Sequence, residues 1–162
     1  FQPKWTDRIH TEWMENVLKN RPDLTREPLE RTRRLMDQWG GDWEVPEYET
    51  LIPLLSLPDA NDRHVLAAAI VAQAPVIVTF NLSDFPETTL APFGIRALHP
   101  DAFLVELLEA IPDAFVAALR RHRSALKNPS CTQEEYLARF VDNGLHRTAA
   151  WLEQNKDHSK GY

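Results

Sequence analysis

The segment 59–84 restricts the fold of this chain more than any other stretch, because it ties acidic side chains to a helix start and a strand end. Asp59-Ala-Asn-Asp62 contains typical helix N-cap residues and precedes an alanine-rich run, residues 65–74, with high helix propensity. The next run, residues 76–80, is short, apolar, rich in β-branched residues and free of charge. Such a run predicts a strand buried on both faces, as in a parallel sheet.

Polar side chains stand where such a fold is expected to bind a ligand. Asn81 and Asp84 follow the predicted strand, and Asp62 lies at the start of the predicted helix. Ligands of parallel α/β sheets sit beyond the carboxyl ends of the strands. Carboxylates held at such places allow hydrolases to bind divalent metal ions. For Asp62 taken alone, a plain capping role at the helix N-terminus is the alternative interpretation.

The composition is that of a globular protein without a membrane-spanning or secretory segment. Apolar residues make up 43% of the 162 residues and charged residues 26%. No apolar run approaches the roughly 20 residues that span a bilayer, and the N-terminus lacks the order of a secretory signal. The single cysteine, Cys131, agrees with a reducing compartment, so we expect a cytoplasmic protein. No histidine has metal-ligand spacing with another histidine or with Cys131, which argues against a zinc site.

The formal net charge of −6 argues against broad, nonspecific binding of nucleic acid but is compatible with a local basic groove. There are two basic clusters. The first is interleaved with Glu27 and Glu30, which indicates an ordinary solvated helix face. The second contains no acid and fits either contact with an RNA backbone or a solvated face. The first comprises Arg26, Arg31, Arg33 and Arg34, and the second comprises Arg120, Arg121, His122, Arg123 and Lys127.

Signals for helices and strands extend along most of the chain, and from residue 112 onward they are helical only. Helices are predicted over about 7–21, 25–39, 62–74, 100–109, 112–127, 132–143 and 145–154, with a single turn over 86–90 and strands over 76–80 and 95–98. Thr132-x-x-Glu135 is a capping box. Prolines interrupt the stretch 42–58, for which no definite element is predicted, and the polar tail 155–162 is predicted to fray.

Three stretches of the sequence, taken together, match the pattern of a known family. They are Thr6-Asp-Arg-Ile-His-Thr-Glu12-Trp, Asp59-x-x-Asp62-Arg-His-Val-Leu-Ala-Ala-Ala and Val76-Ile-Val-Thr-Phe-Asn-Leu-Ser-Asp84-Phe-Pro. The chain resembles the PIN domain family, specifically the bacterial VapC-like toxin ribonucleases, over roughly residues 5–108. The resemblance implies a PIN-like three-layer α/β/α sandwich with a parallel sheet in residues 1–110. The segment 128–137 resembles the C-terminal extension of one branch, which implies an all-helical extension over residues 111–162.

The resemblance also implies a function. Members of this family are metal-dependent endoribonucleases, the toxin components of toxin–antitoxin pairs, so RNA and a cognate antitoxin protein are the implied partners. In the family, acidic residues gather around Mg²⁺ or Mn²⁺ ions, and the matching residues here are Glu12, Asp62 and Asp84. Taken singly, Glu12 also fits a solvated helix residue and Asp84 a turn former. A metal ion would activate water for phosphodiester hydrolysis, and the resemblance implies products with a 5′-phosphate and a 3′-hydroxyl.

Four further residues are candidate contacts to the substrate. Asn81 occupies a place where many relatives of that family carry an acid. Arg63 and His64 fit contact with RNA phosphate, but they equally fit covering a sheet edge or pairing with an acid. Thr79 fits contact with water or substrate, and it also fits a buried β-branched strand residue.

One part of the family pattern has no counterpart in this sequence. The family's first strand, which carries its first aspartate, and the helix after it should precede the Glu12 helix, but the sequence begins at Phe1. We therefore expect a fragment, a processed product or an unseen front. A second polypeptide, an element exchanged within a homodimer, or a rearranged sheet would then cover the open strand edge. The alternative function is that of a catalytically inactive PIN remnant that binds protein or RNA.

Overall fold

The computed structural model describes residues 1–127 and 130–155, and α-helices form more than half of that part of the chain. The helices are α1 (Asp7–Asn20), α2 (Arg26–Gly40), α3 (Arg63–Val71), α4 (Glu87–Leu90), α5 (Pro100–Ala110), α6 (Pro112–Ala125), α7 (Gln133–Asp142) and α8 (His146–Gln154). The strands are β1 (Val76–Val78) and β2 (Arg96–Leu98), and short 3₁₀ helices cover Tyr48–Leu54, Ala60–Asp62, Leu82–Asp84 and Ala91–Phe93. Within the described ranges, no helix is long and apolar enough to cross a membrane.

The element order confirms the predicted α/β class with a helical extension. Each predicted helix occurs, with ends within a few residues of the prediction. The chain folds as two compact units: the first comprises residues 1–77 and 81–97, and the second comprises residues 78–80 and the described residues from Leu98 onward. The predicted domain boundary at residue 110 stays a prediction, because compact units are defined by packing and not by independent folding. The resemblance at residues 128–129 and most of the tail predicted to fray lie outside the described residues.

A buried hydrogen-bond network joins the first two helices. Thr6 caps α1 by accepting a hydrogen bond from the backbone N–H of Ile9 at 3.2 Å. His10 is fully buried, and its Nε2 lies 2.9 Å from a carboxylate oxygen of Asp37 on α2. Trp13 donates its indole N–H to His10 Nδ1 at 3.0 Å, so the ring proton lies on Nε2 and is donated to Asp37. Both ring nitrogens therefore have partners, and the network fixes α1 against α2.

Helix α3 is apolar on several sides and lies in the core of the first unit. Its alanines are small, so that two apolar clusters pack against it on different sides. The second cluster includes Tyr48 of the 3₁₀ helix Tyr48–Leu54, which forms in a stretch for which the sequence predicts no definite element. This packing fixes the N-terminus of α3, where Asp62 lies. The first cluster is Leu66, Ala69, Ile77, Phe85, Leu90 and Ile95, and the second is Val45, Tyr48, Ala67 and Ala68.

The two strands of the described residues pair in parallel. Arg96 donates its backbone N–H to the Pro75 carbonyl at 3.0 Å, and Thr79 donates its own to the Leu98 carbonyl at 2.9 Å. Because both partners advance along the chain in the same direction, the pairing is parallel. The sheet therefore has the strand direction that the sequence predicts.

The prediction of a strand buried on both faces over residues 76–80 is wrong. The strand ends at Val78, and within it Ile77 is the buried residue. Val78 is 44% exposed, and Phe80, just beyond the strand, is 65% exposed. An apolar run does not reveal which of its faces other elements cover, and apolar atoms form a large share of any protein surface.

Helices α5 to α8 build the second unit around a small apolar core of Leu108, Val116 and Leu152. The predicted capping box opens α7: Thr132 Oγ1 accepts from the Glu135 N–H at 3.2 Å, and Glu135 Oε2 accepts from the Thr132 N–H at 2.9 Å. Two orphan N–H groups at the helix start are thereby satisfied.

A buried aspartate joins α5 to α8. Asp101, which is 5% exposed, accepts hydrogen bonds from the backbone N–H groups of Arg147 and Thr148, each at 2.8 Å, and from the Thr148 hydroxyl at 2.7 Å. Burial by itself raises the pKa of a carboxyl, but the hydrogen bonds outweigh it and hold the pKa of Asp101 below its ordinary value. Asp101 therefore caps the N-terminus of α8 from a different helix, a contact that the sequence did not predict.

Candidate metal centre

Three aspartates of the first unit meet at one place. Carboxylate oxygens of Asp59, Asp62 and Asp84 all lie within 4.8 Å of one another. Asp59 precedes the 3₁₀ helix Ala60–Asp62, and its side chain accepts a hydrogen bond from the backbone N–H of Asn61 at 2.8 Å. Asp62 is the last residue of that 3₁₀ helix and directly precedes α3, while Asp84 ends the 3₁₀ helix after β1. A helix start and a strand end thus bring their acids together, as the parallel arrangement predicts.

Partial burial and neighbouring carboxylates raise the pKa of Asp62 above its ordinary value. Partial burial contributes most, repulsion from Asp59, Asp84 and Glu12 adds to it, and a hydrogen bond with Asp84 acts in the same direction. The part of the rise that comes from Asp59, Asp84 and Glu12 reflects repulsion between closely spaced carboxylates. A divalent cation would relieve this repulsion, and the donors are carboxylate oxygens, the ligands that Mg²⁺ and Mn²⁺ prefer. The three aspartates therefore fit a site for either ion.

Glu12 of α1 lies beside this cluster but is already paired. Its electrostatic effect on Asp62 places it close to the three aspartates. Its Oε1 accepts from Arg8 Nε at 3.1 Å, and its Oε2 lies 2.8 Å from His64 Nε2. The structure thus gathers Asp62 and Asp84, two of the three predicted metal ligands, together with Asp59, and holds Glu12 next to them in an ion-paired state.

His64 is the fully buried partner of Glu12. A carboxylate accepts and does not donate, so His64 Nε2 carries the proton and donates it to Glu12. Its Nδ1 is buried without a hydrogen-bond partner among the described residues. Burial lowers the pKa of His64, with a smaller contribution from Arg8, although Glu12 opposes the shift. A neutral imidazole with its proton on Nε2 is consistent with all of these contacts, and it corresponds to the acid-pairing interpretation of His64.

The remaining predicted site residues lie in different surroundings. Arg63 donates its Nε to the Ala60 carbonyl at 2.9 Å, across the turn that carries the first two aspartates. Asn81 donates its amide N–H to Asp84, and its amide oxygen accepts from Ser83 at 2.7 Å. Thr79 belongs to the second compact unit, and its contact to substrate stays a prediction.

Asp59 is the candidate ligand that the sequence interpretation treated only as a capping residue. The signal was present in the spacing Asp59-x-x-Asp62, because two acids separated by a single 3₁₀ turn project toward the same side. Among the described residues, this trio is the group of three or more potential ligands that could hold a metal, and it contains neither histidine nor cysteine.

Comparisons with known proteins identify relatives of both parts of the chain. A family model described as a PIN domain matches residues 1–83, just over half of the chain, and a model described as the VapC50 C-terminal domain matches residues 100–154. The first match contains Glu12, Asp59 and Asp62 and ends one residue before Asp84.

A curated protein of Mycobacterium tuberculosis (strain ATCC 25618 / H37Rv), named "Putative ribonuclease VapC50", is 45% identical over 77 residues. Those residues are 48% of this chain and 46% of that protein, so the chain spans about half the length of the curated relative that it matches. A comparison with solved structures gave no match.

Proposed function

The chain belongs to the PIN domain family, and on this basis we propose that it is a metal-dependent endoribonuclease and the toxin component of a toxin–antitoxin pair. The observation that carries the proposal is the convergence of Asp59, Asp62 and Asp84 within 4.8 Å. The name of the mycobacterial relative, a ribonuclease, supports RNA as the substrate. An antitoxin protein as partner, assembly as a homodimer or through an exchanged element, and a cytoplasmic location belong to the same proposal.

In this proposal Asp59, Asp62 and Asp84 hold Mg²⁺ or Mn²⁺, and Glu12 adds negative charge beside them. The ion would supply a water of lowered pKa for attack on phosphorus and would offset charge on the leaving oxygen. The protein supplies carboxylates that are oriented in advance. Asp59 accepts a backbone N–H and Asp84 accepts the Asn81 amide, so both side chains lose little freedom when an ion binds.

Two polar residues beside the aspartates are proposed contacts to the RNA phosphate. Arg63 donates its Nε–H to the Ala60 carbonyl, and its terminal N–H groups are the donors that we propose for the phosphate oxygens. Asn81 is exposed, and its amide already borders Asp84. His64 is fully buried, so it acts on the substrate only through Glu12.

Metal dependence is the first test of this function. We expect single-stranded RNA to remain intact in EDTA and to be cut when Mg²⁺ or Mn²⁺ is restored, with 5′-phosphate ends identified by end-specific exonuclease digestion. Because the ion binds the folded state and relieves repulsion at Asp62, it should also stabilise the protein. At a hundred times the dissociation constant that stabilisation is about 2.7 kcal/mol, measured as a shift in denaturant unfolding.

Two outcomes would contradict the proposal, and they differ in meaning. Cleavage that continues in EDTA would exclude a metal-dependent mechanism. Metal-induced stabilisation without cleavage of any RNA would leave the metal centre in place but favour the noncatalytic binding module. Addition of Ca²⁺, a larger cation that prefers more ligands, controls for a general effect of divalent charge.

Removal of the His64 imidazole is expected to weaken Mn²⁺ binding. His64→Leu leaves Glu12 without the N–H that now lies 2.8 Å from its Oε2, so Arg8 alone holds the carboxylate and its orientation beside the aspartates is less fixed. Loss of a partner that orients a metal-site carboxylate typically lowers metal affinity about 10- to 100-fold. Isothermal titration calorimetry with Mn²⁺ measures the change directly, without any RNA.

His64→Gln is the matched control for this prediction, because glutamine keeps an N–H donor of comparable reach. We expect Gln to restore most of the Mn²⁺ affinity that Leu loses. Denaturant unfolding in EDTA separates positioning from folding, since leucine fills the buried site and should keep the metal-free protein folded. Equal Mn²⁺ affinity in the wild type and in His64→Leu would contradict a role of His64 in positioning Glu12.

A further inference from the structure

We propose that the end of α6, Lys127 beyond it and the last turn of α7 form a surface that binds the sugar–phosphate backbone of single-stranded RNA. We name this surface the basic patch, and it comprises Arg123, Lys127 and Arg139. The patch lies in the second unit and contains none of the acids of the metal centre. The inference rests on the proposed function in one respect only, that RNA is the polyanion in question.

The first observation is an excess of positive charge without counter-charge. Residues 114–133 contain four cations, Arg120, Arg121, Arg123 and Lys127, and no Asp or Glu. None of the four forms an ion pair with an acid in the described part of the chain, whereas cations of the first unit such as Arg8 and Arg33 do. In a protein of net charge −6, an unbalanced basic stretch is a local departure that attracts polyanions.

The second observation is that cations of two helices flank the same side chain. Burial, with a smaller contribution from Cys131, raises the pKa of Tyr136 to about 12, while Arg123 and Arg139 oppose that rise. Both guanidinium groups therefore lie within electrostatic range of the Tyr136 hydroxyl. Arg123 and Arg139, which are 16 positions apart and lie on different helices, thus contribute to one positive surface. The sequence pattern of either helix alone does not predict this.

The third observation is a shallow, open cavity beside these cations. It has a volume of about 380 Å³ and is lined by Arg123, Ser124, Leu126, Lys127, Ser130 and Cys131. The lining offers a guanidinium, an ammonium and two hydroxyls, and it contains no carboxylate. Arg, Lys and Ser side chains are the usual ligands of phosphate oxygens in complexes with nucleic acids. A phosphodiester group is therefore the ligand that this lining fits by charge and by hydrogen bonding.

The favourable interaction of cations with helix C-termini is the simpler explanation of the same residues. It accounts for Arg123 and Arg139, each in the last turn of its helix. It does not account for Lys127, which lies two residues beyond the end of α6, or for a carboxylate-free cavity at the same place. An acidic peptide would also complement the charge, but RNA is favoured because phosphate contacts of Arg and Lys need no particular sequence.

Binding of RNA in EDTA tests the inference without any cleavage. Fluorescence anisotropy with a labelled single-stranded RNA of mixed sequence is measured for the wild type and for Arg123→Gln/Lys127→Gln/Arg139→Gln. Each phosphate contact to a single strand contributes about 0.7 to the slope of log K against log salt. We expect the triple variant to bind roughly tenfold more weakly and to lower that slope by about 2.

Arg26→Gln/Arg31→Gln/Arg34→Gln is the matched control, since it removes three positive charges from α2, where acids are interleaved. This variant should bind RNA almost as the wild type does. The inference is overturned if both triple variants weaken equally, if the basic-patch variant keeps its affinity because the patch serves an acidic peptide, or if the wild type does not bind RNA in EDTA. Failure of metal-dependent cleavage with intact binding in EDTA would reject the proposed function and leave the basic patch supported.

Discussion

Asp62→Asn is expected to lower the rate of metal-dependent RNA cleavage about a thousandfold, which corresponds to about 4 kcal/mol of lost transition-state stabilisation. Asparagine keeps the shape of the side chain but removes the charge that the proposed ion requires from one of the three carboxylates. Single-turnover cleavage of a labelled RNA in saturating Mg²⁺ measures the effect. A rate within a few-fold of the wild type would remove Asp62 from the catalytic site.

The same substitution is expected to stabilise the metal-free protein. Asp62 has a raised pKa in the folded state, so its ionisation favours the unfolded chain. The stability of the wild type in EDTA should therefore fall as the pH rises from the ordinary carboxyl pKa, about 4, through the raised value. Asp62→Asn removes that contribution, so denaturant unfolding near neutral pH should give a higher free energy of unfolding than for the wild type.

Asp142→Asn is the control for both measurements. Asp142 is exposed at the end of α7, in the second unit, so its loss changes the net charge by the same amount. We expect it to alter neither cleavage nor the pH dependence of stability. If Asp62→Asn destabilises the metal-free protein, the charge of Asp62 favours the folded state at the start of α3, and the inferred charge repulsion at the site is wrong.

The sequence predicts those features that local chemistry determines. Thr132 and Glu135 cap their helix as expected, and the alanine-rich helix starts at Arg63, directly after Asp62. N-cap preference, helix propensity and glycine or proline at helix ends act over a few residues, so they can be read from one chain. The convergence of Asp62 and Asp84 was predictable for a related reason, because in a parallel α/β arrangement the helix N-termini and the carboxyl ends of the strands lie at one edge.

The sequence does not predict contacts that depend on side chains far apart. Glu12 and His64 are 52 positions apart, and their pairing requires α1 to lie beside the start of α3. The exposure of Val78 and Phe80 likewise depends on which elements cover the strand. Such features follow from packing, and hydrophobic pattern alone leaves several packings open. Among the contacts that the sequence did not predict, the cap that Asp101 provides for α8 has the largest expected effect on the free energy of unfolding.

Asp101→Ala is expected to destabilise the second unit by about 3 kcal/mol. It removes the acceptor of three hydrogen bonds and leaves the N–H groups of Arg147 and Thr148 and the Thr148 hydroxyl without a partner. A buried donor that loses its partner costs about 1–3 kcal/mol, and bonds to a charged group are at the upper end. Amide hydrogen exchange measures the loss directly, because protection of the α8 amides should fall.

Asp113→Ala is the matched control for Asp101→Ala, since each aspartate follows the proline that opens its helix. Asp113 is exposed, so its substitution removes only the helix-dipole interaction, about 0.3–1 kcal/mol. Because the pKa of Asp101 is lowered, its stabilisation is complete above the ordinary carboxyl pKa near 4 and is lost as the pH falls through the lower folded value. Asp101→Ala should lose this acid dependence, whereas Asp113→Ala should keep it. Equal destabilisation by the two substitutions would show that the bonds to α8 contribute nothing beyond the dipole.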